Sequence, residues 1–490
     1  MRSAAKKFIL LGLALGTSLP ASGALHDLVF GDLSGPPALN WFDPSIGLPV
    51  ARLADGSYAV VWQGPGQEAR LQWVSPDGAE VLEPGGRRFA TPTDGEFPIV
   101  ITNPAGGAFV ALVGATEKGA RVLVQSFDAA ASPRWPGDGV LAVDSSGRED
   151  QRAPRLLASA DGGVFVCFGR SADPAPAVDQ DRTVCQRLGP DGRPLWPGGR
   201  VAGSRPGHHL TPSLVTDGAG GVLVFWSTTR TLTSGGQRFS LLSVEGQHLS
   251  PDGTRLWEPR GKLLHETTRD NSFFAFSRVF AVPDGRGGAI LAFGDWKRTS
   301  DDVAAQRVDR DGTLLWGSGI TVAAGPRYQL LDSLTALPDG AAVVVQEVLP
   351  NSQSRLRLYR LSRGGQLRRP ILGAELSAPN RNQADFGSQG SFDGDRLRIL
   401  WSSHVLGNGL HVEIRIAVFD PAGRRLTAPD APPLVAWGTD EARYFGGFAF
   451  DTGRNQGLVV WNDWLLLTTP TRTVGINAEG GLFSGDEGVP

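Results

Sequence analysis

Seven stretches of this chain gather groups able to hold a polar ligand or move protons. They are Asp94 and Glu96; Glu149, Asp150 and Gln151; His208 and His209; Asp270 and Asn271; Arg327 and Tyr328; Asn382 and Asp385; and Glu441, Arg443 and Tyr444. Glycoside hydrolysis needs two facing carboxylates about 5 to 9 Å apart, and Asp94, Glu96, Glu149, Asp150, Asp385 and Glu441 could supply them if folding brings them to one opening. Other acids carry less. Asp173, Asp179 and Asp181, Asp301 and Asp302, and Asp393 and Asp395 lack the D-x-[DN]-x-[DN]-G order of a calcium loop and read as solvated loop acids. The 7 histidines form no H-x-x-x-H or H-E-x-x-H pair. His208 and His209 are adjacent and would point to opposite sides of an extended segment, so no metal is expected. A G-x-S-x-G elbow and a Walker loop are both absent.

Positioning falls to a repeat. A turn followed by an apolar run appears as "ADGSYAVVW" (54–62), "PAGGAFVAL" (104–112), "ADGGVFVCF" (160–168) and "DGAGGVLVFW" (217–226). It continues as "DGRGGAILAF" (284–293), "PDGAAVVV" (338–345), "DGDRLRILW" (393–401) and "GRNQGLVVW" (453–461), giving eight copies. Short Val/Ile/Leu/Phe runs bounded by Gly, Asp and Pro are strands, and Asp-Gly or Gly-Gly supplies the positive φ of a tight turn. A second phrase, "PDGRPLW" (190–196), "PDGTRLW" (251–257) and "RDGTLLW" (310–316), with the weaker "DAAASPRW" (128–135), follows thirty or so residues behind. Trp135, Trp196, Trp257 and Trp316 are 61, 61 and 59 residues apart, so each fills an equivalent place. Strand, turn, strand, variable loop, strand, turn and a short last strand such as "GKLLHET" make one repeat. The expectation is an all-β chain forming a single β-propeller of eight four-stranded blades. Repeats are expected near 49–97, 98–152, 153–209, 210–276, 277–331, 332–386, 387–446 and 447–490, with a closing strand drawn from 25–48 so that no edge is left open. The strand-end aromatics Trp62, Phe168, Trp226, Phe293, Trp401 and Trp461 share one repeat position, which favours packing between blades over a sugar platform.

Glycine four residues before each tryptophan (Gly192/Trp196, Gly253/Trp257, Gly312/Trp316) resembles the tryptophan-docking motif of quinoprotein-type eight-bladed propellers. That resemblance implies that each indole packs on the neighbouring blade. The enzymes of that family carry a vicinal cysteine pair beside a quinone, and this chain has none, so no cofactor is expected. "SPDGTRLW" (250–257) sets its glycine one place too early for the Asp-box of sialidases. In propellers the junctions entering the innermost strands surround the central mouth, and in this register they are the seven stretches above.

The first 24 residues read as a secretory signal: basic Arg2, Lys6 and Lys7, an apolar core from Phe8 to Leu19, then Ala21, Ser22, Gly23 and Ala24. A secreted or periplasmic bacterial protein of residues 25–490 is expected. The whole chain has 47 Lys+Arg against 50 Asp+Glu. Removing three basic signal residues leaves 44 against 50, a net charge of −6, which gives nucleic acid no basic face. No later run is long enough for a membrane span. Cys167 and Cys185 sit in neighbouring strand-like runs, and in an oxidising compartment they form a disulfide, the alternative being two buried thiols.

With no catalytic signature, the expected function is a non-catalytic, monomeric binding or scaffold module for a protein or envelope partner. The alternative is a secreted carbohydrate-active hydrolase or lyase, or a glycan-binding lectin, using the central polar mouth. Neither the partner nor the glycan is named by the residues.

Overall fold

The turn phrases reverse antiparallel strands as their chemistry dictates. In "ADGGVFVCF" the Asp161 carboxylate accepts the Gly163 N–H at 3.2 Å, and Glu149–Ala158 and Val164–Ala172 pair on either side. The computed structural model describes residues 49–477 apart from 64–67, 77–78, 84, 91–97, 146, 173–180, 271–277, 297–300, 351–352, 378–382, 406–410, 435–442, 452–455 and 464–470. The signal segment, residues 25–48, and Asp94, Glu96, Asn271, Asn382 and Glu441 lie outside these residues.

The described chain is all-β and runs as eight successive antiparallel meanders, called units 1 to 8 below. Units 1, 2, 3 and 5 are four-stranded sheets, over 50–90, 99–141, 149–203 and 279–323. In unit 4 (208–270) the first strand is broken into His208–His209 and Ser213–Thr216, both paired with Val222–Ser234. Unit 6 (329–375) is joined to unit 7 (383–419) by one parallel pair, Ser354 with Ala384. Among the described residues, units 7 and 8 (443–477) have three strands each.

Each sheet buries both faces, which is why its strands read as continuous apolar runs. Val164, Val166 and Phe168 of unit 3 pack on Phe109, Val122 and Trp135 of unit 2, while Phe165 and Cys167 pack on Val222, Val224 and Trp226 of unit 4. Comparable clusters join units 1 and 2, 4 and 5, 5 and 6, and 6 and 7. Gln389 of unit 7 exchanges two 2.9 Å hydrogen bonds with the Phe448 backbone of unit 8. Leu458 of unit 8 lies in one apolar cluster with Val50, Tyr58, Val60 and Val74 of unit 1.

A second repeated signal holds the tryptophans. Ten residues before each stands a glutamine: Gln125, Gln186, Gln247 and Gln306. The Gln186 Oε1 accepts the Trp196 N–H at 3.0 Å and its Nε2 donates to the Trp196 carbonyl at 2.9 Å. Gln125, Gln247 and Gln306 receive the N–H of Trp135, Trp257 and Trp316 in the same way. Each indole N–H then crosses to the next unit's turn: Trp135 to the Pro190 carbonyl, Trp196 to Pro251, Trp257 to Arg310 and Trp316 to Arg363, at 3.0–3.1 Å. A Cβ on Gly253, φ +84°, would stand 2.9 Å from the Trp196 ring, so this turn requires glycine for both its backbone and its space.

Cys167 and Cys185 are directly cross-strand in unit 3 and form a disulfide, with S–S 2.05 Å. No helix of the described residues is long and apolar enough to cross a membrane.

Candidate functional site

Several of the polar groups expected in loops stand instead on strands, while Arg327 and Tyr328 lie in the junction before Gln329–Leu337 as expected. Glu149, Asp150 and Gln151 open Glu149–Ala158, whose first residues pair with Ala172, Ser171 and Arg170. His208 and His209 pair with Thr229 and Thr228, and Asp270 with Phe239. Arg443 and Tyr444 pair with Asp463 and Asn462, although their side chains, like that of Asp270, lie outside the described set. The reason is physical: rim ends of paired strands are wet, so polar residues occupy them without breaking the ladder.

Several of these residues hold the units together. Asp150 accepts the Ala120 N–H of unit 2 at 3.0 Å. Gln151, fully buried, accepts from the Val122 N–H and donates to the Val143 carbonyl, both at 3.1 Å. Asp385 does not reach an opening. It is 0% exposed, bonded by Ser377 and by Gln383 at 2.8 Å, and burial pushes its carboxyl well above the usual range against those hydrogen bonds. Alternation within Gln383–Phe392 turns this side chain inward, which corrects its place among the mouth residues.

The histidine pair divides. His209 is buried, with Nδ1 2.9 Å from Thr183 Oγ1 of unit 3, Nε2 2.9 Å from the Arg205 carbonyl, and its ring stacked on Trp226. Burial lowers its pKa to about 4, so it stays neutral and structural. His208 faces the other way. Its Nδ1 lies 2.6 Å from Asp181 Oδ2, and its side chain keeps a quarter of its surface exposed. A carboxylate on Nδ1 favours the tautomer with the proton there and the lone pair on Nε2. Among the described residues no group bonds that nitrogen. This is the orientation a general base requires. Nearby on the same rim Arg170 of unit 3 lies 3.7 Å from Glu149, and Arg152 donates to Ser171 Oγ at 2.6 Å.

A second polar group spans units 4, 5 and 6. Arg269 donates to both Asp301 oxygens at 3.1 and 3.2 Å and to the Tyr328 hydroxyl at 3.1 Å, and its guanidinium stands 5.4 Å from the Tyr328 ring centroid. Burial raises the Asp301 pKa to about 6 despite Arg269. Arg327, more exposed, reaches Glu347 at 3.4 Å. Below them, His265 Nε2 is 3.0 Å from Asp295 Oδ1, and Thr267 donates to the Trp296 carbonyl at 2.6 Å. Residues 265, 267 and 269 alternate along one strand and so form a polar seam between units 4 and 5.

Sequence reasoning placed Asp181 only among loop acids and passed over Glu245, Arg269, His265 and Asp295. Spacing carries little signal for them, because the partners of Asp181, Arg269 and His265 lie on other units and those of Glu245 on a neighbouring strand and on the connection from unit 3. Among the described residues, no three or more His, Cys, Asp or Glu side chains stand together as metal ligands.

No protein-family model matches this chain, and no curated protein matches it. Solved structures do resemble it at a distance. A crystal structure of puromycin hydrolase has 16% identity and a TM-score of 0.43 over 87% of this chain, which spans only 60% of that protein. A polysaccharide lyase PL25 ulvan lyase has 11% identity and a TM-score of 0.45 over 89% of this chain and 93% of its own. A protein of unknown function from Dyadobacter fermentans DSM 18053 has 11% identity and a TM-score of 0.38 over 68% of this chain and 95% of its own. At such identities and scores nothing about this chain's chemistry follows from them.

Proposed function

We propose that this chain is an exported carbohydrate-active propeller that performs acid–base chemistry on a glycan at the rim of units 3 and 4. The observation that carries this reading is the His208–Asp181 pair, a partly exposed imidazole with its outer nitrogen open and its inner one held at 2.6 Å. His208 Nε2 acts as the proton acceptor and then the donor, and Asp181 steadies the imidazolium. Glu149 and Arg170 on the same rim bind polar groups of the ligand, and Tyr328 with Arg269 extends the lining. A lectin would use the same lining without the proton transfer.

The architecture proposed with it is one ring of eight blades. Leu458 packing into the first unit's cluster supports closure, and residues 25–48 supply the fourth strand of unit 8. The interlocked indoles support the kinship with tryptophan-docking propellers. Residues 1–24 are the cleaved export signal, and the disulfide fits an oxidising compartment.

The test is a panel of neutral and acidic polysaccharides assayed for new reducing ends and for unsaturated products. H208A, with H208Q as the milder change, loses product by ~100-fold or more while still binding glycan. Glycan binding without any product leaves a lectin. Failure to bind any glycan overturns the reading and returns the weight to a protein or envelope partner.

A further inference from the structure

Between units 3 and 4, one carboxyl group is sealed among polar atoms that do not complete their bonds. Glu245 on Gln237–Leu249 is 0% exposed. Neither of its oxygens closes a hydrogen bond among the described residues, and neither do Trp226 Nε1, Thr228 Oγ1 or Arg205 Nε. These donors nevertheless surround it. Trp226 is directly cross-strand from Glu245, Thr228 lies two residues further along the same strand, and Arg205 Nε is 3.8 Å from Glu245 Oε2. Burial raises the Glu245 pKa to about 7, with Thr228, Arg205 and Trp226 opposing the rise and Glu266 adding to it.

Arg205 belongs to the short connection between Arg200–Gly203 and His208–His209. Its carbonyl accepts from His209 and its Nη2 donates to the Gly261 carbonyl at 3.2 Å. The Ser204 N–H reaches the Arg260 carbonyl at 3.3 Å. Whatever draws the Arg205 side chain inward therefore acts on the strand that presents His208 to Asp181.

We propose that Glu245, acting through Arg205, positions His208, so that the charge on one interior carboxyl sets the geometry of the Asp181–His208 pair. Charged Glu245 attracts Arg205 inward. Neutral Glu245 leaves Arg205 to Glu258, 3.4 Å away on an exposed turn and shared with Lys262 at 3.7 Å. The other ionisable groups packed here are Glu266 on the last strand of unit 4, His209, and Asp181 with Arg182 at the start of Arg182–Leu188. His209 is neutral across the range concerned, so it supplies no competing charge change.

This rests on the reading of His208 as the acid–base residue, but its test uses no glycan. The imidazole nitrogen shifts of His208 are followed by NMR from acid to alkaline pH in the full exported chain, assigned by their loss in H208Q. The expected result is a second inflection near pH 7, present in the wild type, absent in E245Q and absent in R205M, while R205K retains it. Identical His208 curves in the wild type and a folded E245Q overturn the proposal. Should E245Q not fold, R205M decides in the same way. Turnover that survives H208Q removes the acid–base reading and leaves the inflection intact; turnover that requires His208 without any inflection removes only the positioning role.

Discussion

At the residue scale the two adjacent histidines have different environments, and environment decides their roles. His209 has both nitrogens satisfied and its ring buried against Trp226, whereas His208 has one nitrogen tethered and one unbonded among the described residues. Sequence alone supported only their opposite directions. It could not tell which would meet a carboxylate, because Asp181 arrives from another unit across a variable loop. Glu245 gives the clearest residue-level prediction. Its folded pKa, about 7, stands above its ordinary 4.5. The folded state therefore holds the proton more tightly; the stabilisation is complete below pH 4.5 and is lost as pH rises toward 7. Above that range the buried charge costs about 3 kcal/mol. E245Q, neutral throughout, should match the wild type near pH 4 and exceed it in denaturant midpoint at pH 8. Parallel stability curves for the two proteins would show that Glu245 carries no such penalty.

At the scale of elements, the strands and turns were legible because Asp-Gly turns and apolar runs recur at fixed intervals. The strand ends were not. Glu149–Arg152 and His208–His209 are polar enough to read as loop, yet they pair, so Glu149–Ala158 runs across the expected repeat boundary at 152/153. The glutamine ten residues before each tryptophan was not legible, because a lone polar residue in a strand usually reads as exposed. It is instead buried and doubly bonded, and this sets its energetic weight. Gln186→Leu removes both partners of the Trp196 backbone and strands a buried N–H and carbonyl, for a loss of about 2–4 kcal/mol by chemical denaturation. The same change in Trp196→Phe removes only the indole bond to the Pro251 carbonyl, together with some packing, and should cost less than Gln186→Leu. A reversed order would mean that the indole, not the glutamine, anchors the turn. The cysteines were readable from compartment and strand spacing. Their removal as a C167A/C185A pair should lower stability by roughly 2–4 kcal/mol without altering the far-UV spectrum of the sheets.

At the scale of the whole molecule, repetition gives architecture easily and function poorly. Every repeated residue packs, bonds or turns the chain, while the groups suited to chemistry are those that differ from unit to unit. His208, Arg269 and Tyr328 each stand 12 residues after a repeat tryptophan yet differ in type, and Asp181 recurs only as Asp301, each 15 residues before one, so the repeat shows the position but not the pair formed there. Closure of the ring is the structural claim at this scale. A chain beginning at residue 49 should lose cooperative unfolding of units 1 and 8, seen as early hydrogen exchange in Val50–Arg52 and Gln456–Asp463. Exchange unchanged from the full chain would show that residues 25–48 do not complete the last unit.

The measurement closest to the central claim is the rate of glycan turnover by the wild type, D181N and H208Q on the best substrate of the polysaccharide panel. H208Q is expected to fall by ~100-fold or more in kcat with little change in KM, and D181N by a smaller factor because the imidazole keeps its reactive nitrogen but loses its orientation. Turnover equal to wild type in H208Q would contradict the assignment of this rim as the site of chemistry.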